Sequence, residues 1–311
     1  MKNKINISVL LITLVVTIFS CSKARIEKPI DDIVKTPTSE DGDTELIKFI
    51  PLDDYFNEKI NKAELFNFTF SLNNTPLYPT TSANTIFANT KNSFENSTTG
   101  NAVDYPYLIS INNFFSIKDF IFTNLEPMYN NNLLSIGGLF YITISKDNML
   151  LSITDGAHCT LSFTNYSNFS NDTIFLYKEN NGWVKTNDKF VHDYDNIDGQ
   201  LSILGRILVA KATNFTTSNY TKLQYTSSKY DLTNVGIYVV FSDKNSFTRV
   251  QNLESIDLPV GEQAKLVAFG ITNQGQLYSY FNDITIVEQG EYEIFLAPIS
   301  DANLTNLLDQ L

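Results

Sequence analysis

Residues 133–183 read LLSIGGLFYITISKDNMLLSITDGAHCTLSFTNYSNFSNDTIFLYKENNGW, and this stretch decides the fold class. Ile142 and Ile144 lead into Lys146-Asp147-Asn148, a turn, and residues 149–153 follow it. Cys159, Leu161 and Phe163 alternate with His158, Thr160 and Ser162. Ile174 and Leu176 alternate with Phe175 and Tyr177, and Asn180-Asn181-Gly182 turns the chain into Trp183. Alternation with period two between turn signals predicts half-buried antiparallel strands. Cys159 shares a face with Leu161 and Phe163, which makes it a core residue rather than a reactive thiol.

Working outward, 65–72 and 107–111 read as strands, 78–100 as loops with one or two short strands, and 114–122 as strand or loop. Residues 46–64 are ambiguous, with an edge strand near 46–50 and a short helix around 54–64. These segments and the opening stretch make a first all-β domain, 46–190. The acidic segment 188–199 joins it to the next. Asp193, Asp195 and Asp198-Gly199 resemble calcium chemistry, but Ile197 occupies a ligand position, so the segment reads as a polar loop and no metal is expected. The second domain, 191–311, carries candidate strands at 202–210, 222–225, 236–241, 247–250, 264–271, 276–286 and 292–297, with turns at Pro259-Val260-Gly261 and Gln274-Gly275. Ser300 is placed to cap a C-terminal helix on which Leu304, Leu307, Leu308 and Leu311 share one face. A helix that short is marginal alone in water, so the stripe should dock.

The N-terminus reads as an address. Lys2 and Lys4 precede the apolar run 9–19, which at 11 residues is shorter than the about 20 that span a bilayer. Ile18-Phe19-Ser20-Cys21 resembles a bacterial lipobox, with Phe19 bulkier than usual there. That resemblance implies a lipoprotein signal peptide over 1–20 and lipidation of Cys21 as the first mature residue. Two or three acyl chains, at about 0.8 kcal/mol per buried methylene, anchor stably. Residues 21–45 are polar, contain Pro29 and Pro37, and read as a flexible tether. Without Lys2 and Lys4 the chain has 20 basic against 34 acidic residues, a charge of −14. That argues against nucleic acid and against a basic membrane-binding face. With Cys21 lipidated, Cys159 has no disulfide partner.

Three segments carry a further resemblance: VDYPYLISINNFF at 103–115 with IKDFIFTN at 117–124, LLSIGGLFYITI at 133–144, and 150–156 followed by LYKENNGW at 176–183. Together they look like a sandwich module of cell-envelope lipoproteins of the Bacteroidetes type, with a G-G-x-F-x-I strand before a hairpin and an aromatic strand ending in Gly-Trp. The module is distantly similar to ZU5-type β-sandwiches, and the match covers roughly 84–184. Gly137 and Gly138 permit a bend or bulge, and Trp183 reads as a core plug. The second domain, with Leu-Pro-x-Gly-Glu at 258–262, looks like the Ig-like or transthyretin-like modules that accompany surface lipoproteins. The expected fold is therefore two antiparallel β-sandwich domains in tandem, after a signal peptide and tether, with a short C-terminal helix. The expected location is the bacterial outer membrane.

Catalytic signatures are scarce. The chain has no H-E-x-x-H, G-x-S-x-G, P-loop or C-x-x-C, its only histidines are His158 and His192, and no cofactor is expected. His158-Cys159-Thr160 resembles the H-x-S/T self-cleavage site of some ZU5-linked domains, which implies attack by Thr160 with His158 as base. A regular strand, however, lacks the strained turn that this chemistry needs. The leading expectation is a non-catalytic binding or structural module for a protein or glycan partner, and the alternative is a surface hydrolase of polysaccharide or peptidoglycan. With 16 Tyr and 23 Phe, aromatics exceed what two cores need. Tyr166, Phe169, Tyr220, Tyr225, Tyr278 and Tyr280 fall in loops or on expected outward faces, as candidate ligand contacts.

Overall fold

The computed structural model describes residues 46–61, 66–70, 86–89, 93–104, 106–164, 174–179, 182–186, 188–192 and 196–311. Helix α1 (Asp53–Asn61) precedes β1 (Phe66–Phe70), β2 (Ile86–Asn89), β3 (Phe94–Asn96) and β4 (Tyr107–Phe114). Helix α2 (Ile117–Phe122) leads to β5 (Met128–Tyr129), β6 (Asn132–Lys146), β7 (Met149–Ile153), β8 (Cys159–Thr164) and β9 (Ile174–Glu179). Then come β10 (Gly182–Lys185), β11 (Lys189–His192), β12 (Asn196–Leu201) and β13 (Gly205–Ala212). The second half carries β14 (Tyr220–Thr221), β15 (Gln224–Thr226), β16 (Gly236–Phe241), β17 (Ser246–Arg249) and β18 (Leu258–Pro259). It ends with β19 (Gln263–Ile271), β20 (Leu277–Thr285), β21 (Glu291–Glu293), β22 (Ala297–Ile299) and helix α3 (Asp301–Leu308). Among the described residues no helix is long and apolar enough to cross a membrane.

The first sandwich pairs a sheet of order β1-β4-β6-β13-β9-β10 with a second of order β11-β12-β8-β2. Asp147 and Asn148, both at positive φ, close the β6–β7 hairpin, with Lys146 opposite Met149. Two left-handed residues are what a type I′ hairpin requires. Between the sheets lie Ile109 and Ile111 of β4, Phe140, Ile142 and Ile144 of β6, and Cys159, Leu161 and Phe163 of β8.

The larger sheet is apolar on its other face as well. Leu134, Ile136 and Leu139 of β6 belong to a different core from Phe140, Ile142 and Ile144. Residues 134 and 136 would share a face with 140 and 142 in a regular strand. They do not, because the register against β13 shifts between Val209, opposite Gly138, and Ala210, opposite Ile136. The extra residue is Gly137, the bulge that the paired glycines suggest. Gly138 is also tightly packed, since a Cβ there would lie 3.0 Å from the Phe115 ring and 3.1 Å from that of Phe140.

The second sandwich is built on the sheet β17-β16-β19-β20-β22. Ile237, Val239 and Phe241 of β16 face a core closed by Tyr225 and Leu258 from the short pairs β15–β21 and β14–β18, and by Leu223 and Ile294 directly beside β15 and β21. Tyr238 and Val240 of the same strand face the opposite way, into the core that holds Leu134, Ile136 and Leu139. That shared core is filled by helices: Tyr55 and Phe56 of α1, Phe120 and Ile121 of α2, and Leu304 and Leu308 of α3. Residues 45–311 accordingly form one compact unit.

Three expectations change. The division at 190/191 falls inside the first sandwich, because β12 pairs with β8 and β13 pairs with β6 and β9. Residues 46–61 do not join the first sandwich. Ile47 bridges Tyr230 and Ile50 bridges Ile271, so this segment straps the second sandwich before α1 enters the shared core. Finally, 117–122 is a helix, not strand or loop; the Ser116 hydroxyl accepts the Asp119 N–H and caps it. The C-terminal helix lies where its cap implies, with Ser300 accepting the Asn303 N–H. Its stripe packs between the two sandwiches, where Lys59 of α1 pairs with Asp301 at 2.5 Å and Lys118 of α2 pairs with Asp309.

Leu304 is fully buried. Leu304→Asp is expected to lower stability by about 4 kcal/mol or more, on the order of 10 °C in thermal unfolding. Unchanged melting would mean that this face serves a partner instead. Gly270→Ala tests the strap: a Cβ there would lie 2.7 Å from Phe49, so urea unfolding should show a loss of about 1–3 kcal/mol.

Candidate functional site

The expected site residues do not converge. Cys21, Tyr166 and Phe169 lie outside the described residues. Tyr225 is 1 % exposed and belongs to the second core, so it is not a surface aromatic. Burial also leaves its hydroxyl without a partner and raises its pKa. Tyr278 is half-buried in a trio with Phe49 and Tyr230, ring centroids 5.8 and 6.1 Å away, where it holds the N-terminal strap. Tyr280 is half-buried against the same core. Tyr220 alone of the described candidates stands clear, at 48 % exposure. Alternation predicts only that Tyr278 and Tyr280 share a face. It cannot show that the strap and the small strand pairs cover that side.

Trp183 is a partial plug: its Nε1 donates to the Glu126 carbonyl at 2.9 Å and its ring packs on the shared core, with Lys178 5.8 Å from the ring centre. Cys159 is fully buried, and desolvation pushes its thiol from 9.0 up to about 12. The Cys159–Thr160 peptide sits in a regular central strand, with Thr160 opposite Gln200 on one side and Ala88 on the other. That is not the strained turn that self-cleavage requires.

Two surface depressions do gather polar groups. The first, about 500 Å³, lies at one end of the first sandwich. Glu95, Asp155, His158, Asp188, Gln200 and Ser202 line it. The Asp188 carboxylate is engaged, accepting the Ser202 N–H at 2.9 Å and hydroxyl at 2.6 Å. Among the described residues no group of three His, Cys, Asp or Glu is placed to hold a metal ion.

The second, about 570 Å³, lies beside β17 on the second sandwich, with apolar walls from Leu232, Val235, Ile237, Val250 and Leu253 and polar groups from Thr233, Arg249, Gln251 and Asn252. Leu232, Val235, Ile237 and Val250 are buried beneath it, so the surface it offers is mainly polar. The tight turn Gln251–Glu254 forms one wall, with backbone hydrogen bonds in both directions between its ends. Asn252 and Leu253 both have positive φ, 52° and 60°. A left-handed Leu is costly, and here it leaves an apolar side chain 37 % exposed at the rim. Arg249 and Gln251 also line a smaller recess of about 150 Å³ toward α2, together with Asn124 and Glu126 and with Phe120, Ile121, Leu125, Tyr238 and Phe247. Sequence reasoning missed this site. The available signal was Arg249 itself, one of three arginines in a strongly acidic chain, three residues before a turn-forming Asn252.

No family model, curated protein or solved structure matches this chain.

Cys159 provides a check on the packing. At pH 9 the folded protein should resist iodoacetamide, because its thiol stays protonated until the pH approaches about 12. The unfolded chain, whose thiol titrates near 9.0, should be labelled. Intact mass of the same sample should show one unbroken chain across the Cys159–Thr160 bond.

Proposed function

We propose that this protein is a non-catalytic, lipid-anchored envelope protein that acts as a binding or structural module for a protein or glycan partner. The observation that carries the reading is the groove beside β17. Its Arg249, Gln251 and Asn252 side chains are held on a strand edge and a tight turn, above buried Leu232, Val235, Ile237 and Val250, at the margin of a sheet buried on both faces. A site on rigid elements is preorganised, so little ordering cost is left to binding. The anchor rests on Cys21, which follows the apolar run 9–19 with the small Ser20 directly before it, and the outer membrane is its proposed location. Tyr220 is a second exposed contact that suits stacking or a protein interface.

The hydrolase reading retains one specific support, the depression that brings Glu95, Asp155 and Asp188 to the same surface as His158. Two carboxylates across a cleft can divide the roles of acid and base or nucleophile in glycoside hydrolysis.

Cys21→Ala should move the protein from membrane pellets to the soluble fraction; pelleting that persists through a high-salt wash would refute the anchor. A pull-down from solubilised envelopes, run beside a glycan array, should capture a partner that Arg249→Gln or Leu253→Asp weakens. Turnover of polysaccharide by the purified chain, lost in Glu95→Gln or Asp155→Asn, would replace the binding reading with the hydrolase.

A further inference from the structure

The far face of the first sheet is covered by the shared core only in part. Leu139 of β6, Leu208 of β13 and Leu176 of β9 lie in that core. Two residues along each strand, on the same face, come Tyr141, Arg206 and Lys178. The register carries this row from β4 to the edge strand β10: Asn112 stands opposite Tyr141, Tyr141 opposite Arg206, and Lys178 opposite Trp183. Ile207 opposite Tyr177 brings Arg206 and Lys178 side by side. At one strand spacing per step the row is about 19 Å long. Arg206 is exposed, and so are Thr143 beside the row and Lys185, which shares the face of Trp183.

The cations of the row rest on aromatic rings rather than on carboxylates. The Arg206 guanidinium carbon lies 4.9 Å from the centre of the Tyr141 ring, and the Lys178 Nζ 5.8 Å from that of Trp183. Neither joins an ion pair among the described residues, nor does Lys185. The rings are themselves held: Tyr141 edge-on to Phe114, with centroids 5.4 Å apart, and Trp183 by its hydrogen bond to the Glu126 carbonyl. A cation seated on a fixed ring keeps its outer side for an anion and has less freedom to lose when one binds. Acids are absent where these cations stand. Strands β1, β4, β6, β13 and β10 contain no Asp or Glu, and β9 has only Glu179, opposite Gly182 and one residue out of step with Lys178. In a chain of formal charge −12, this face is a local reversal of sign.

We propose that this face binds an anionic polysaccharide whose sugars carry carboxylates, with Arg206, Lys178 and Lys185 on the carboxylates and Thr143 and Asn112 on hydroxyls. The charges are complementary. The length of the row suits a chain rather than a single small ion. A sheet face presents side chains and no free backbone groups, so an acidic peptide would lack the main-chain pairing that a strand edge gives, whereas sugar hydroxyls pair with Thr and Asn side chains directly. The proposal rests on the reading of the protein as a binding module and names a glycan class for it, on a surface other than the groove beside β17.

Calorimetric titration of the full chain in detergent tests it with polygalacturonate, the methyl ester of the same polymer, and poly-glutamate at equal carboxylate concentration. The expected result is binding of polygalacturonate, weakened by added salt, with the ester and poly-glutamate at least about tenfold weaker, since hydrogen bonds to charged groups are the stronger ones. Arg206→Gln, at an exposed position, should weaken polygalacturonate severalfold, Arg206→Lys should keep part of the affinity, and Arg206→Gln with Lys178→Gln should bring it to the level of the ester. Lys229→Gln, which removes an exposed cation from the loop after β15, should change nothing. Each variant should melt near the parent chain. No binding of polygalacturonate, equal binding of its ester or of poly-glutamate, or an affinity unchanged in the Arg206 and Lys178 variants overturns the proposal. If the envelope pull-down then still captures a partner that Arg249→Gln weakens, this face is not a glycan surface and the binding module stands. If neither assay yields a ligand, both fail.

Discussion

Two sheets that are apolar on both faces impose the constraint on which the rest of the structure depends. A sandwich covers only one face of each sheet. Leu134, Ile136, Leu139 and Leu208 on the far face of the first sheet, and Tyr238, Val240, Val267 and Phe269 on that of the second, would lie against water in two independent domains. At about 25 cal/mol per Å² of apolar surface, that exposure is too costly to leave uncovered. The chain resolves it by turning these faces toward each other and filling the gap with three short helices. None of those helices would persist alone at six to nine residues; each is stable because it fills this core. The Lys59–Asp301 and Lys118–Asp309 pairs sit at the rim and add orientation more than free energy, as solvent-facing ion pairs do.

This constraint explains why the sequence disclosed the sandwiches but not their fusion. Alternation in 159–163, the Asp147-Asn148 turn and the paired Gly137-Gly138 are local signals, and each appears where the local rule puts it. A bulge, however, reverses the meaning of alternation beyond it. Leu134 and Ile136 read as the outer continuation of Phe140 and Ile142 until the register shift is known. The run GIYVVF at 236–241 is likewise continuous rather than alternating, which is the mark of a strand covered on both sides. Helix α2 was legible only through Ser116 and Asp119, because its IKDFIF core has the composition of a strand. The acidic segment 188–199 looks like a linker from its charge, yet hydrogen-bonding partners on β8 make part of it a strand. Partners distant in sequence decide such cases, and one sequence does not display them.

The candidate site was hidden for a related reason. Exposed aromatics are the obvious compositional clue in this chain, but most of those described are spent on packing. Tyr278 and Tyr230 grip Phe49, which in turn lies over Gly270 because only a glycine leaves space for the ring. A glycine in a strand interior marks a close approach of another part of the chain. At Gly270 that part is the N-terminal strap, over two hundred residues earlier. The residues that do line the groove and the recess beside it come from separate elements and share no spacing: Leu253 lines the first, Phe120 the second, and Arg249 both.

The recess follows from the same geometry that joins the sandwiches. Helix α2 belongs to the connection between β4 and β5, whereas Tyr238 and Phe247 belong to the second sheet, so the surfaces meeting at Arg249 come from the two halves of the fold. Packing a rounded helix on a twisted sheet leaves its largest gaps at the margins of the contact, where neither surface fully covers the other. A gap in the interior of the shared core would forfeit dispersion contacts with no return. At the margin, beside Asn124, Glu126 and Arg249, the same gap opens to the surface and is lined in part by polar groups. The seam that the double-faced sheets require is thus also the place where this fold can hold a pocket without weakening any of its three cores.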